Sequence, residues 1–187
     1  MNVGIDISQV VYEGTGVGRY VREMVKQIIQ LDTNNTYVLF GSSLRQRNKL
    51  ETFCDEVKNS NPSVKTVIIS LPPTILDWLW NILHIIPIPW FTGPLEVFWS
   101  SDWTQPPLGK GVRGITTIHD VSFLHYPESF DKTIISVQNH RLKWAKRECQ
   151  HFLCDSEATK RDAEKLLHID PSRLSVIYPG YSSALNT

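Results

Sequence analysis

Two clusters along the chain combine residue types and spacings suited to chemistry. One is a glycine-studded turn, Gly14-Thr15-Gly16-Val17-Gly18-Arg19-Tyr20, and the other is the polar pair His119-Asp120. Glycines at alternate positions permit positive φ and let a ligand approach main-chain amides. Amides at the positive end of a helix dipole form an anion site suited to phosphate. A histidine closing an apolar run can hydrogen-bond a substrate hydroxyl or shuttle a proton. The glycine spacing is not the dinucleotide fingerprint, because the third glycine comes too soon, and no Lys-Ser or Lys-Thr of the P-loop type is present. No GxSxG elbow accompanies the histidine, which removes a Ser-His-Asp arrangement. No HxH or HxxxH spacing lies near it, so no metal is expected. A plain tight turn for the glycines and a structurally satisfied histidine stay open on these residues alone.

The elements that must position these clusters follow from hydrophobic patterning. Short apolar runs predict strands at 3–7, 37–40, 64–70, 95–100, 114–119, 151–155 and 174–178. Val17, Val21, Met24, Val25, Ile28 and Ile29 recur at helical spacing, which predicts a helix over 16–31. Further helices are predicted over 44–57, 132–149 and 157–167, the last capped by Ser156. Strands alternating with helices imply an α/β, Rossmann-like, doubly wound and mostly parallel sheet with helices on both faces. In such sheets ligands bind beyond the carboxyl ends of the strands. The glycine turn and His119-Asp120 should therefore share one rim. If strand geometry continues through the pair, the two side chains point to opposite sides.

Composition narrows the classes of function. A chain of 187 residues fits one domain. Its 19 basic and 19 acidic residues cancel, which disfavours a general nucleic-acid binder. Cys54, Cys149 and Cys154 lack zinc-site spacing and suggest no disulfide framework, so a reducing compartment is expected. Asp6 interrupts the first apolar run too early for a signal peptide, and a cytoplasmic location follows as the expectation.

The stretch 75–91, ILDWLWNILHIIPIPWF, carries Trp78, Trp80 and Trp90, with no formal charge between Asp77 and Glu96. Pro87 and Pro89 interrupt it, and it is too short to span a bilayer. It reads either as a core helix on the sheet or as an aromatic surface. Such a surface would serve a lipid-linked acceptor or peripheral contact with the inner face of the membrane.

Taken together, several segments resemble the amino-terminal domain of retaining glycosyltransferases of family 4, the group-1 type built from two Rossmann-like domains (GT-B). They are GIDIS at 4–8, GTGVGRYVREMV at 14–25 and EVFWSSDWTQPP at 96–107. TTIHDVSFLHYPESF at 116–130, LCDSEATKRDAEKLL at 153–167 and VIYPGYS at 176–182 complete the set. The resemblance runs nearly end to end in order and spacing, except over about 44–92, where acceptors differ.

The resemblance implies transfer of a sugar from a nucleotide-activated donor to a saccharide or lipid-linked acceptor with retained anomeric configuration, without metal or other cofactor. The first domain would hold the acceptor, and the turn around Gly14, Gly16, Val17 and Gly18 would approach the donor diphosphate. His119 would face the transferred sugar, Asp120 would shape its loop, and Arg19 would contact acceptor or phosphate. It further implies that 1–182 form the acceptor-side domain and that 183–187 begin an interdomain linker. The donor-binding domain, with its Glu-x7-Glu motif, is absent here, so this chain alone is expected to be inactive. A non-catalytic sugar- or nucleotide-binding module, or a half-protein completed by a partner chain, is the alternative. A dinucleotide-dependent enzyme is weakest, because the fingerprint is incomplete.

Overall fold

Residues 1–180 are described by a computed structural model. All seven strands pair in parallel, in the order β3-β2-β1-β4-β5-β6-β7. They are β1 (Asn2–Asp6), β2 (Thr36–Ser42), β3 (Lys65–Ile69), β4 (Val97–Ser100), β5 (Arg113–Ile118), β6 (Cys149–Cys154) and β7 (Leu174–Val176). The chain winds outward from β1 through β2 to β3. It then returns to place β4 on the other side of β1, which makes the β1/β4 gap the topological switch point.

Period-2 alternation puts neighbouring strand residues into opposite cores. Tyr37 and Leu39 of β2 join a cluster with Val21, Val25 and Ile29 of α1 (Gly16–Leu31) and Leu50 and Phe53 of α2 (Arg47–Ser60). Val38 and Phe40 of the same strand face the other way, toward Trp80, Ile88, Leu95 and Phe98. The sheet is thus covered on both faces, as its continuous apolar strands require.

The tryptophan-rich stretch is where the sequence expectation needs correcting. A short α3 (Pro73–Leu76) runs into a π-helical turn at Asp77–Ile82, and α4 (Pro89–Thr92) follows separately. His84 and Ile86 between them adopt positive φ of 54° and 63°. No single core helix forms, and the three tryptophans do not share one surface. Trp80 is fully buried and donates its indole N–H to the Ile86 carbonyl at 3.1 Å. Trp78 and Trp90 stay 53% and 78% exposed.

The segment is fastened to α6 (Lys132–Glu148) through His84, whose ring stacks on Trp144 at 3.7 Å and meets Glu148 Oε1 at 2.7 Å. Short α5 (Ser122–His125) and α7 (Glu157–Leu167) are the remaining α-helices among the described residues. Cys54, Cys149 and Cys154 are buried and unpaired. Burial pushes the Cys149 thiol up to about 12 and those of Cys54 and Cys154 up to about 11. Among the described residues no helix is long and apolar enough to cross a membrane.

Truncating Trp80 removes the largest side chain of the second core, so Trp80→Ala is expected to cost about 3–5 kcal/mol. Trp90→Ala should stay within about 0.5 kcal/mol. Urea unfolding of the two variants beside the parent checks both.

Candidate active site

The glycine turn is built by Thr15, the N-cap of α1. Its Oγ1 accepts from the Gly18 amide at 3.1 Å and donates to the Tyr12 carbonyl at 2.8 Å. The three glycines have different physical reasons. Gly14 holds φ +90°, a conformation L side chains rarely adopt. A Cβ on Gly18 would sit 2.5 Å from the Tyr12 carbonyl and 2.9 Å from that of Gln9, so only glycine fits there. Gly16 meets nothing within 4 Å and leaves open space over the helix start. Among the described residues the Gly16 and Val17 amides have no hydrogen-bond partner, as expected of the first turn of a helix. Arg19 is exposed on the same turn.

His119 and Asp120 lie just past β5, which ends at Ile118, so strand alternation does not govern them. They are not brought onto one another. Asp120 is exposed, and its Oδ1 accepts from the Ser122 amide at 2.8 Å, which closes the turn into α5. His119 Nδ1 meets Asp155 Oδ2 at 2.7 Å, and its carbonyl accepts from Thr159 Oγ1 at 3.1 Å. The imidazole packs edge-on against the Tyr20 ring of α1, centroids 5.0 Å apart at 87°. That contact joins the glycine turn to the end of β5. The shared rim expected from the sequence is therefore present.

Beneath this rim lies a buried polar layer that the sequence did not announce. The Asp6 carboxylate closes β1 and accepts from the Ser8 amide at 2.8 Å. Burial pushes its pKa above the usual carboxylate range, and the nearby Asp102 charge pushes the same way. Arg141 of α6, only 2% exposed, donates to Thr116 Oγ1 at 2.9 Å and to the Thr117 carbonyl at 2.7 Å. Asp6 Oδ2, Tyr20 OH, Asp102 Oδ1, Arg141 Nε and Asp155 Oδ1 are buried without a hydrogen-bond partner among the described residues. All five belong to residues at or against the carboxyl ends of β1, β4, β5 and β6. Buried polar atoms are ordinarily satisfied, so this concentration marks one edge of the sheet as set apart from the rest.

Beside the switch point opens a cleft of about 300 Å³ over the carboxyl ends of β1 to β4. Ser8, Tyr12, Ser43, Arg45, Trp103 and Thr104 are among its walls. Hydroxyls, one guanidinium and two aromatic rings suit a polar ligand with apolar faces better than a purely apolar one. Among the described residues, no three or more His, Cys, Asp or Glu side chains gather as a metal site requires.

Residues 14–184 match the sequence profile of Glycosyltransferase Family 4. The chain belongs to this family. No curated protein sequence matches it. Among solved structures it is similar to a short-chain dehydrogenase from Oenococcus oeni PSU-1, at 13% identity and a TM-score of 0.45. That similarity covers 99% of this chain and 82% of the dehydrogenase, and its size bears on neither activity nor ligand. In this family 4 chain, Asp155 and Tyr20 are the neighbours of His119 in the candidate site that sequence reasoning passed over. The rule that found His119, a polar residue just past a strand, applies equally to Asp155 after β6. Tyr20 carried no such signal, because its contact depends on how α1 packs.

The glycines separate stability from ligand access. Gly18→Ala is expected to lose about 1–3 kcal/mol through overpacking, whereas Gly16→Ala should unfold at the parent's urea concentration to within error. Paired denaturation curves decide it.

Proposed function

We propose that this chain is the acceptor-side half of a retaining glycosyltransferase that moves a sugar from a nucleotide-activated donor to a saccharide or lipid-linked acceptor. The observation that carries the proposal is the Tyr20–His119 ring contact at 5.0 Å. It sets the amides of Gly16 and Val17 and the histidine on one rim, beside the cleft at the switch point. Acceptor binding is assigned to that cleft. The two amides would hydrogen-bond the departing diphosphate, whose charge grows as the sugar becomes oxocarbenium-like, and oriented dipoles stabilise such charge without reorganising.

His119 would face the transferred sugar, Asp120 would keep the following turn closed, and exposed Arg19 would supply a positive charge nearby. A second Rossmann-like unit would bring the nucleotide pocket and the remaining diphosphate contacts, with 1–182 as the first unit and a linker after it. The end of that unit and the linker at 183–187 lie outside the described residues.

Two measurements test this. The 187-residue chain is expected to show no sugar transfer from UDP-glucose or GDP-mannose to saccharide acceptors, and to gain transfer when joined to a family 4 donor-binding unit. Turnover by the chain alone at a rate normal for such enzymes overturns the half-site assignment. Saccharide binding with no transfer in either form favours a non-catalytic binding module instead.

A second reading concerns the membrane and rests on the exposure of Trp78 and Trp90, with Ile75 and Ile82 exposed nearby in the chain. Indoles are favoured at the bilayer interface. Trp80 is excluded from this surface by its burial. The pair would let a protein on the inner face of the membrane reach a lipid-linked acceptor. The chain should float with vesicles containing anionic lipid, and the Trp78→Ala, Trp90→Ala double variant should float at least several-fold less. Equal flotation of the two sinks this second reading.

A further inference from the structure

We propose that Asp155 is a positioning residue that fixes His119 in the Nδ1–H tautomer, so that Nε2 is offered to the ligand as a hydrogen-bond acceptor. This rests on the proposed glycosyltransferase site and names what its histidine reads: a neutral hydroxyl on the sugar, not a phosphate or a carboxylate.

The geometry comes from sheet register. Ile118 of β5 and Cys154 of β6 are paired residues in parallel neighbouring strands. The next residue on each strand, His119 and Asp155, therefore emerges side by side at the carboxyl edge. Their side chains meet at 2.7 Å, Nδ1 to Oδ2. A carboxylate only accepts, so the hydrogen of this bond belongs on Nδ1, and the bond made by one ring nitrogen sets the state of the other.

The ring is also held in place by other contacts. Tyr20 packs edge-on against it, and Thr159 Oγ1 grips its carbonyl at 3.1 Å. The side chain is 14% exposed. Among the described residues no second carboxylate reaches Nε2, so Asp155 engages one ring nitrogen and leaves the other for a ligand.

With its hydrogen on Nδ1, the neutral form of the ring presents a lone pair at Nε2. Tyr20 sits beside the same carboxylate. Burial, joined by the Asp155 charge, raises its phenol pKa, so it remains a neutral neighbour rather than a competing anion. The rim thus divides its chemistry. The Gly16 and Val17 amides are donors suited to an anion, and His119 Nε2 is an acceptor suited to a hydroxyl. A uronate turned toward His119 would meet lone pair against lone pair.

The test is nitrogen-15 spectroscopy of the histidines in the 187-residue chain near neutral pH. The wild-type His119 ring is expected as the Nδ1–H tautomer. Asp155→Leu, similar in shape but without an acceptor, is expected to lose it. His151, whose Nε2 pairs with Ser175 Oγ at 2.8 Å, serves as the folding control and should be unchanged. A wild-type ring that is Nε2–H or doubly protonated overturns the assignment, whatever the variant does.

Titration with methyl α-glucopyranoside or methyl α-mannopyranoside is then expected to move the wild-type Nε2 resonance, with glucuronate moving it less. A larger response to glucuronate overturns the acceptor role. The expected tautomer with no response to either methyl hexoside overturns the sugar-facing assignment of the proposed function and leaves Asp155's positioning role standing.

Discussion

The guanidinium of Arg141 is the contact on which the arrangement of the rim depends. It reaches from α6 into the sheet edge and donates to Thr116 Oγ1 and to the Thr117 carbonyl, the last residues of β5 before Ile118 and His119. Its other terminal nitrogen, Nη1, donates to Gln138 Oε1, and the Gln138 amide in turn donates to the Asp102 carbonyl. One buried cation therefore fixes the end of β5, the loop after β4 and the helix over both. A planar fork with several donors can do this where a lysine could not. The charge would be costly alone, and Asp102 is the carboxylate that acts on it.

From that anchor the remaining geometry follows by register. With the end of β5 fixed, the parallel pairing of β6 delivers Asp155 to His119, and the packing of α1 delivers Tyr20 to the same ring. The glycine turn is carried along because Tyr20 and the open amides of Gly16 and Val17 belong to the first turns of one helix. The groups proposed to bind an anion and to read a hydroxyl are thus held by rigid elements. The cleft beside them has a wall partly made of the loop that follows β2.

Much of this was legible in the sequence where local chemistry is decisive. α1 and α7 begin and end where periodicity and capping put them, because Thr15 and Ser156 each satisfy an orphan amide of the first turn. The parallel pairing of the strands was implicit in the βαβ alternation, whereas their order was not. The tryptophan-rich stretch was not legible, because its path depends on non-glycine residues, His84 and Ile86, adopting positive φ under tertiary constraint. The His119–Asp155 contact joins residues 36 apart. It becomes visible only once β5 and β6 are known to be adjacent and in register. The Asp6, Asp102 and Arg141 layer left no pattern, because each was an ordinary charge within its own segment.

The three cysteines have a practical meaning of their own. A thiol reacts as its thiolate, and burial both hides these sulfurs and holds them protonated near neutral pH. Alkylation of the native chain must therefore wait for local opening, so its rate measures the free energy of that opening region by region. Cys54 watches α2 on one face of the sheet, while Cys149 and Cys154 sit at the two ends of β6. Comparing the last two distinguishes breathing of the carboxyl end of one strand from breathing of its amino end. The fold carries its own position-resolved dynamics probe.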